Sequence, residues 1–336
     1  MNKSTVSWAL YDISNTVFNL GVVGLFLPLW INKRQGTTDA DLGFPIAISM
    51  IVVLIASPLL GAFTDQSSNR IRIFTFLNMI TVVSIFLIGF SKSIPITMGF
   101  FGIAFVCVYL AELLYNAMLE QASNATNRGK IGGIGIGLGY VASLIVIIYW
   151  YLYGEPGSNY NYELRILAGI FLLAALPIAI FFVEPYKHSN QLKKIRNSIL
   201  KSIRTQIKHT LTHFRQYPKI PKFFLARYFY MITVNTAGLF VVLYGIKTIG
   251  FTEKEVLVVF FIGAIFAIPG AVSWGLLVDK FGPALALKWN MVGWTIFLAG
   301  AVSIPWLNLD NQLWWPMSAF IGLCYGGLWA ADRPLL

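Results

Sequence analysis

Acidic residues are scarce in this chain, 14 Asp and Glu in 336 residues, and cysteine and histidine are scarcer still, with 2 and 3. The two cysteines, Cys107 and Cys324, both fall inside apolar runs, so they give no disulfide framework and read as apolar fillers. The histidines His188, His209 and His213 all lie in one basic stretch. No H-E-x-x-H, no paired metal ligands and no serine–base arrangement is present, so the expectation is no enzyme and no cofactor. Charge is thin throughout, 12% of residues against 57% hydrophobic, with a mean hydropathy of +0.69. That balance excludes an ordinary soluble domain.

What the chain has instead is long apolar runs. Ten of them, near 8–31, 43–64, 72–91, 95–118, 131–153, 164–184, 222–246, 255–278, 284–304 and 311–332, are each long enough to cross a hydrocarbon core of about 30 Å. They must be helices, because lipid offers no partner for open backbone groups and the runs are too uniform for alternating barrel strands. The fold class expected is therefore an all-α membrane protein. The first run carries Asp12, Asn15 and Asn19 and has no prompt small-residue cleavage site, so it is read as a retained helix and not a signal peptide.

The excess of basic residues, 25 Lys and Arg and a net charge of +11, sorts by loop. With a cytoplasmic N-terminus, 18 of them fall in inside segments, 6 in outside segments, and Arg227 within a helix. The bias puts both termini in the cytoplasm and removes nucleic acid as the reason for the charge. The expected location is the plasma (inner) membrane if the source is prokaryotic, with a vacuolar membrane as the other expectation. The densest basic stretch, 185–221, has Leu192, Ile195, Ile199, Ile203, Ile207, Leu211 and Phe214 at steps of three and four. This is a basic amphipathic helix expected to lie on anionic lipid over 190–216.

The chain divides into 1–184 with six helices, the basic segment 185–221, and 222–336 with four. The two halves share a signature: Gly61-Ala-Phe-Thr-Asp65 closes the second helix and Gly275-Leu-Leu-Val-Asp279 the eighth, with Arg70 and Lys280 as the following cations. Repeated halves of this kind mark secondary transporters that rock about a central site. The loops are expected to gate the cytoplasmic side, each Asp bonding a helix N-terminus or its neighbouring cation. Gly132-Gly133-Ile-Gly135-Ile-Gly137-Leu-Gly139 has the wrong spacing for a nucleotide loop and is read as close helix packing or bending.

Ionisable residues deep within helices are few: Asp12 in the first, Glu112 in the fourth and Arg227 in the seventh. Each costs about 2.5–3.5 kcal/mol at a helix centre, so each should face a cavity or a partner. Asp12, Asn15 and Asn19 share one helix face, as do Glu112, Tyr115 and Asn116, and Arg227 and Asn235. Plainer readings stand beside a transport site: Asp12 snorkelling to the surface, Glu112 and Arg227 doing the same, and a purely structural Glu112–Arg227 pair. On the functional reading, Asp12 and Glu112 compete for the Arg227 guanidinium. The carboxylate left over, expected to be Glu112 near the C-terminal end of its helix, then carries a proton or holds a substrate ammonium.

Several stretches together resemble a known family: W-A-L-Y-D-x-x-N at 8–15, S-P-L-L-G-x-x-x-D at 57–65, Y-N-A-M-L at 115–119, G-x-G-x-G-L-G-Y at 133–140 and F-L-A-R-Y-F-Y at 224–230. They are similar to the vacuole-effluxer-like, autophagy-related amino-acid-effluxer-like branch of the major facilitator superfamily. The resemblance implies a twelve-helix uniporter or proton-coupled carrier with helices 1, 4, 7 and 10 lining the cavity. The chain therefore reads as truncated after the tenth helix. The function expected is export or exchange of a small polar metabolite, amino acids among the candidates, by a monomeric carrier with a coupled proton. The competing expectation is a transport-incompetent fragment of such a carrier.

Overall fold

The structure is a computed structural model and describes residues 3–32, 39–66, 70–124, 127–153, 160–184 and 219–335. Each expected run forms a helix. α1 runs Lys3–Thr16, widens into a π-helical stretch at Val17–Phe26 and returns as Leu27–Asn32. α2 is Asp39–Gln66, α3 Arg70–Ile88, α4 Ile94–Ala122, α5 Arg128–Tyr153 and α6 Asn161–Phe181. α7 is Lys219–Tyr244 with a π-helical tail Gly245–Ile249, α8 Glu253–Phe281, α9 Pro283–Trp306 and α10 Trp314–Asp332. α7 therefore takes in residues 219–221, which the sequence reading gave to the basic segment. The rest of that segment, including the proposed lipid contact at 190–216, lies outside the described residues.

The helix starts follow local chemistry. Pro95 and Pro283 occupy first-turn positions, where a missing N–H costs nothing. At α8, Thr252 and Glu255 form a reciprocal capping box.

Among the described residues, eight helices are long and apolar enough to span a membrane, and a ninth span is counted if the bent α7 and its tail act as one. All ten expected helices form, and eight or nine of them meet that measure of length and composition. α10 is a helix of 19 residues in the anticipated place, but Trp314, Trp315, Pro316, Gly322, Gly326 and Gly327 dilute its apolar content, and it is not among the spans. Those glycines serve packing: Gly322 and Gly326 lie directly on the backbone of Gly263 and Ala267 of α8.

Successive helices run in opposite directions. The Thr5 hydroxyl donates to the carbonyl of Ala122 at 2.8 Å, the Ser4 hydroxyl to that of Phe181 at 3.3 Å, and Glu184 accepts the first N–H groups of α3 from Arg70 and Ile71 at 3.4 Å each. The end of the bundle where α1 begins therefore also holds the ends of α4, α6, α8 and α10. We call it the lower end. The last four helices meet the first six there along α5 and α8. A Cβ on Gly133 would stand 2.6 Å from the carbonyl oxygen of Ala271, and one on Gly275 2.8 Å from that of Gly129. The alternating glycines of α5 thus serve two neighbours, Gly133 facing α8 and Gly135 and Gly139 facing α1 at Asp12 and Thr16. At the upper end, the Tyr160 hydroxyl reaches Glu253 at 3.5 Å.

Candidate functional site

α1 carries its polar face inward. Trp8, Tyr11, Asp12 and Asn15 are all buried. Trp8 stacks on Tyr115 of α4 with ring centroids 4.4 Å apart, and its indole N–H donates to the Tyr115 carbonyl at 3.0 Å. The Tyr115 hydroxyl is 2.8 Å from Asp12 Oδ2 and 3.2 Å from the Trp8 carbonyl. On the other side of the helix, Tyr11 donates to Asn78 Oδ1 of α3 at 2.8 Å. The W-A-L-Y-D stretch is therefore one hydrogen-bonded aromatic cluster that aims the Asp12 carboxylate across the bundle.

It aims at an unexpected partner. Arg333, in the short 3-10 turn Arg333–Leu335 that ends α10, grips Asp12 with two hydrogen bonds of 2.6 and 2.7 Å. Both side chains are buried, at 7% and 3% exposure, so the pair is held away from water. The guanidinium carbon also lies 5.2 Å from the Tyr115 ring centroid and 5.8 Å from that of Trp8. Arg227 is taken by the preceding residue: its guanidinium binds Asp332 at 2.8 and 3.0 Å, and Tyr230 donates to the same carboxylate at 2.5 Å.

Two consecutive residues at the end of α10 thus reach in opposite directions, Arg333 to the first six helices and Asp332 to α7. The expectation that Asp12 faces Arg227 is corrected. The reason is a second guanidinium, Arg333, which by position in the sequence belongs with the 18 basic residues of the inside segments. Apart from those two adjacent opposite charges, which share a depth with Asp12, nothing in the sequence marked the pairing.

Of the other expected site residues, Asn19 accepts a hydrogen bond from Tyr109 at 3.4 Å. The Oδ1 atoms of Asn15 and Asn116 are buried without a partner. Glu112 is half-buried and, among the described residues, makes no hydrogen bond or ion pair, although it feels the charges of Arg333, Asp12, Arg227 and Asp332. Asn235 is not brought to this cluster; it is exposed and its amide donates to Met231 of its own helix at 2.8 Å. No group of His, Cys, Asp and Glu among the described residues is placed to hold a metal ion.

The repeated loops are visible on one side only. Asp279 accepts the N–H groups of Gly129 and Lys130 at 3.1 and 3.0 Å, capping the N-terminus of α5 across the interface between the two helix groups. Of the two partners expected, the helix terminus is the one realised. Lys280 is not: its ammonium lies 5.1 Å from the Phe281 ring centroid, an interaction with its own helix end. Gly275 is the contact point with α5, and Gly61 is half-buried with open space around it. The side chain of Asp65 lies outside the described residues, and Arg70 meets Glu184 through its backbone N–H.

Asp279→Asn keeps an acceptor but removes the charge from the α5 terminus. It is expected to weaken the lower-end contact by about 1 kcal/mol, roughly a fivefold shift toward an open lower end. Labelling of a cysteine placed at Val278, which is buried at that contact, should rise accordingly, with ligand affinity unchanged. A matching loss of affinity would place Asp279 in the binding site instead.

An all-helical membrane bundle whose two groups of helices close on a buried ion pair is the architecture of a carrier. The profile of the Major Facilitator Superfamily matches residues 14–335. The chain is 24% identical over 346 residues to the uncharacterized MFS-type transporter YxiO of Bacillus subtilis (strain 168), covering 98% of this chain and 79% of that protein. Among solved structures it resembles the xylose transporter XylE of E. coli in a partially occluded inward-open conformation, with TM-score 0.65 at 17% identity over 98% of this chain and 84% of that one. A bacterial homologue of the iron transporter ferroportin in its outward-facing state aligns with TM-score 0.61 at 14% identity, over 99% and 83%. The chain belongs to the Major Facilitator Superfamily: it is a membrane-embedded secondary transporter and not an enzyme.

Proposed function

We propose that this protein moves a small polar metabolite by alternating access, amino acids being the class suggested by its effluxer-like motifs, with both termini in the cytoplasm and Glu112 exchanging a proton during the cycle. The observation that carries the reading is the buried ion pair between Asp12 of α1 and Arg333 at the end of α10. It joins the first six helices to the last four, so the lower end opens only when it breaks. Orientation is supported by the loop charges, 18 basic residues inside against 6 outside.

Proton exchange at Glu112 is supported by charge balance. Asp12 and Asp332 are neutralised by Arg333 and Arg227, which leaves Glu112 as the surplus carboxylate. A proton on Glu112 makes the set neutral, and its departure leaves a negative charge to be met by substrate or by hydration. The phenols of Tyr11, Tyr109 and Tyr325 and the charges of Asp12, Arg227, Asp332 and Arg333 are the titratable groups about it. A proton coupled to solute is also how the similar XylE is described, as a proton:xylose symporter.

Reconstitution in liposomes with a panel of labelled amino acids and amines tests the reading. Wild-type protein should show counterflow whose rate varies with pH. Glu112→Gln should keep the counterflow and flatten the pH profile. An unaltered profile in Glu112→Gln would remove the proton from this residue.

A further inference from the structure

We propose that Glu112 and Asn15 together seat the ammonium group of the transported molecule, so that the carrier selects small organic ammonium compounds and rejects carboxylates that lack one. The inference rests on the reading that Glu112 faces the transport path, and adds the chemistry of what it meets there.

The first support is an inventory of unspent groups. Both guanidinium groups near the site are neutralised, Arg333 by Asp12 and Arg227 by Asp332. The one buried donor left over there, Nε of Arg333, belongs to a charge already balanced. On the acceptor side, the Glu112 carboxylate has no partner among the described residues, and two amide oxygens are buried without one, Oδ1 of Asn116 one turn along α4 and, across from it on α1, Oδ1 of Asn15 in a residue only 5% exposed. An anion arriving here would meet a surplus negative charge and no free cation. A cation would find a surplus carboxylate and an unsatisfied amide oxygen, each expensive to leave unmet away from water.

The second support is register. α1 and α4 run antiparallel, with Trp8 level with Tyr115 and Asn19 level with Tyr109. Asn15 lies between Trp8 and Asn19 as Glu112 lies between Tyr115 and Tyr109, and each shares the face of its flanking contacts: Asp12, Asn15 and Asn19 on α1, Tyr109, Glu112 and Asn116 on α4. That register puts Asn15 on the face of α1 that α4 meets, at the depth of Glu112. The neighbouring Asn19 amide is already used, its oxygen by Tyr109 and its nitrogen by the Asn15 carbonyl.

The third support is number and shape. A primary ammonium has three N–H donors, and two carboxylate oxygens with one amide oxygen offer three acceptors. Tyr109, three residues before Glu112 on α4, and Tyr325 of α10 lie within electrostatic reach of Glu112, and aromatic rings of this kind suit the apolar side of an alkylammonium and favour its charge.

The test uses purified full-length protein in detergent and needs no transport, so it fails separately from the alternating-access reading. Isoamylamine, leucine and isocaproate share one isopentyl chain and differ in bearing an ammonium, both charges, or a carboxylate alone. Raised melting temperature at millimolar ligand reads binding. Protection is expected from isoamylamine, leucine or both, and none from isocaproate; amine alone identifies a free amine as the source of the ammonium, leucine an amino acid. Glu112→Gln should weaken that binding roughly tenfold to a hundredfold and Asn15→Ala roughly tenfold, while Glu120→Gln at the exposed end of α4 leaves it unchanged. Equal protection by isocaproate, protection by sodium chloride alone to the same degree, absence of protection by every ammonium compound, or affinity unaltered in Glu112→Gln would each overturn the proposal.

Discussion

Arg333→Ala is expected to open the lower end of the bundle in most molecules. Asp12 is 2% exposed, and in the closed arrangement its charge is met by Arg333 through two hydrogen bonds. Removing the guanidinium strands a buried carboxylate, a change that costs about 3–5 kcal/mol because desolvation is no longer offset. Tyr115 still donates to Asp12, but one neutral hydrogen bond does not replace a buried ion pair. The cost falls on the closed state alone, since opening lets water reach the carboxylate. A bias of that size moves a two-state equilibrium by about a hundredfold or more. Adding Asp12→Asn to Arg333→Ala should restore much of the closed population. If the double variant is as open as the single one, the stranded charge is not the cause.

Gly275→Ala should produce a comparable opening by steric means. A Cβ there would stand 2.8 Å from the carbonyl oxygen of Gly129 and 3.4 Å from its carbon, both fixed backbone, so α5 and α8 must separate. Overpacking of this kind costs about 1–3 kcal/mol, and separation also pulls Asp279 from the N-terminus of α5, adding about 1 kcal/mol. Gly137→Ala on the same interface is the control, because its nearest atoms across the gap, Ile268 O and Val272 Cγ2, are 3.9 Å away and give ordinary contact. Both substitutions raise helix propensity equally. A difference between them in cysteine accessibility at the lower end therefore reports the α5–α8 contact, and equal behaviour would mean that this crossing does not hold the end shut.

The parts of this arrangement that could be read in advance are those written within single helices. Apolar runs located the ten helices, since burial in lipid leaves the chain no other regular structure. The stripe of Asp12, Asn15 and Asn19 and that of Glu112, Tyr115 and Asn116 follow from helical period alone, and α1 and α4 do meet along them. Pairing between helices is another matter. Asp12 and Arg333 are separated by 321 positions, and a count of basic residues by loop cannot distinguish a solvated tail cation from one folded back over a tyrosine. The same limit applies to the glycines of α5. Their spacing announced a close approach, yet which faced α8 and which faced α1 depended on the rotation of three helices. Asn235 shows the converse: two turns from Arg227 on a helical wheel, it falls to the exposed side, because α7 turns Tyr230 and Val234 toward its neighbours.

The claim that the Asp12–Arg333 pair is what joins the two helix groups is tested most directly by a double-mutant cycle read as a distance. Spin labels on cysteines at Glu120 of α4 and Lys280 of α8, both exposed at the lower end, report open and closed populations for the wild type, Asp12→Asn, Arg333→Gln and the pair together. A coupling of roughly 2 kcal/mol or more between the two substitutions is predicted, with each single variant shifted to the longer distance and the double variant shifted less than their sum. Additive shifts, or single variants with the wild-type distance distribution, would contradict it.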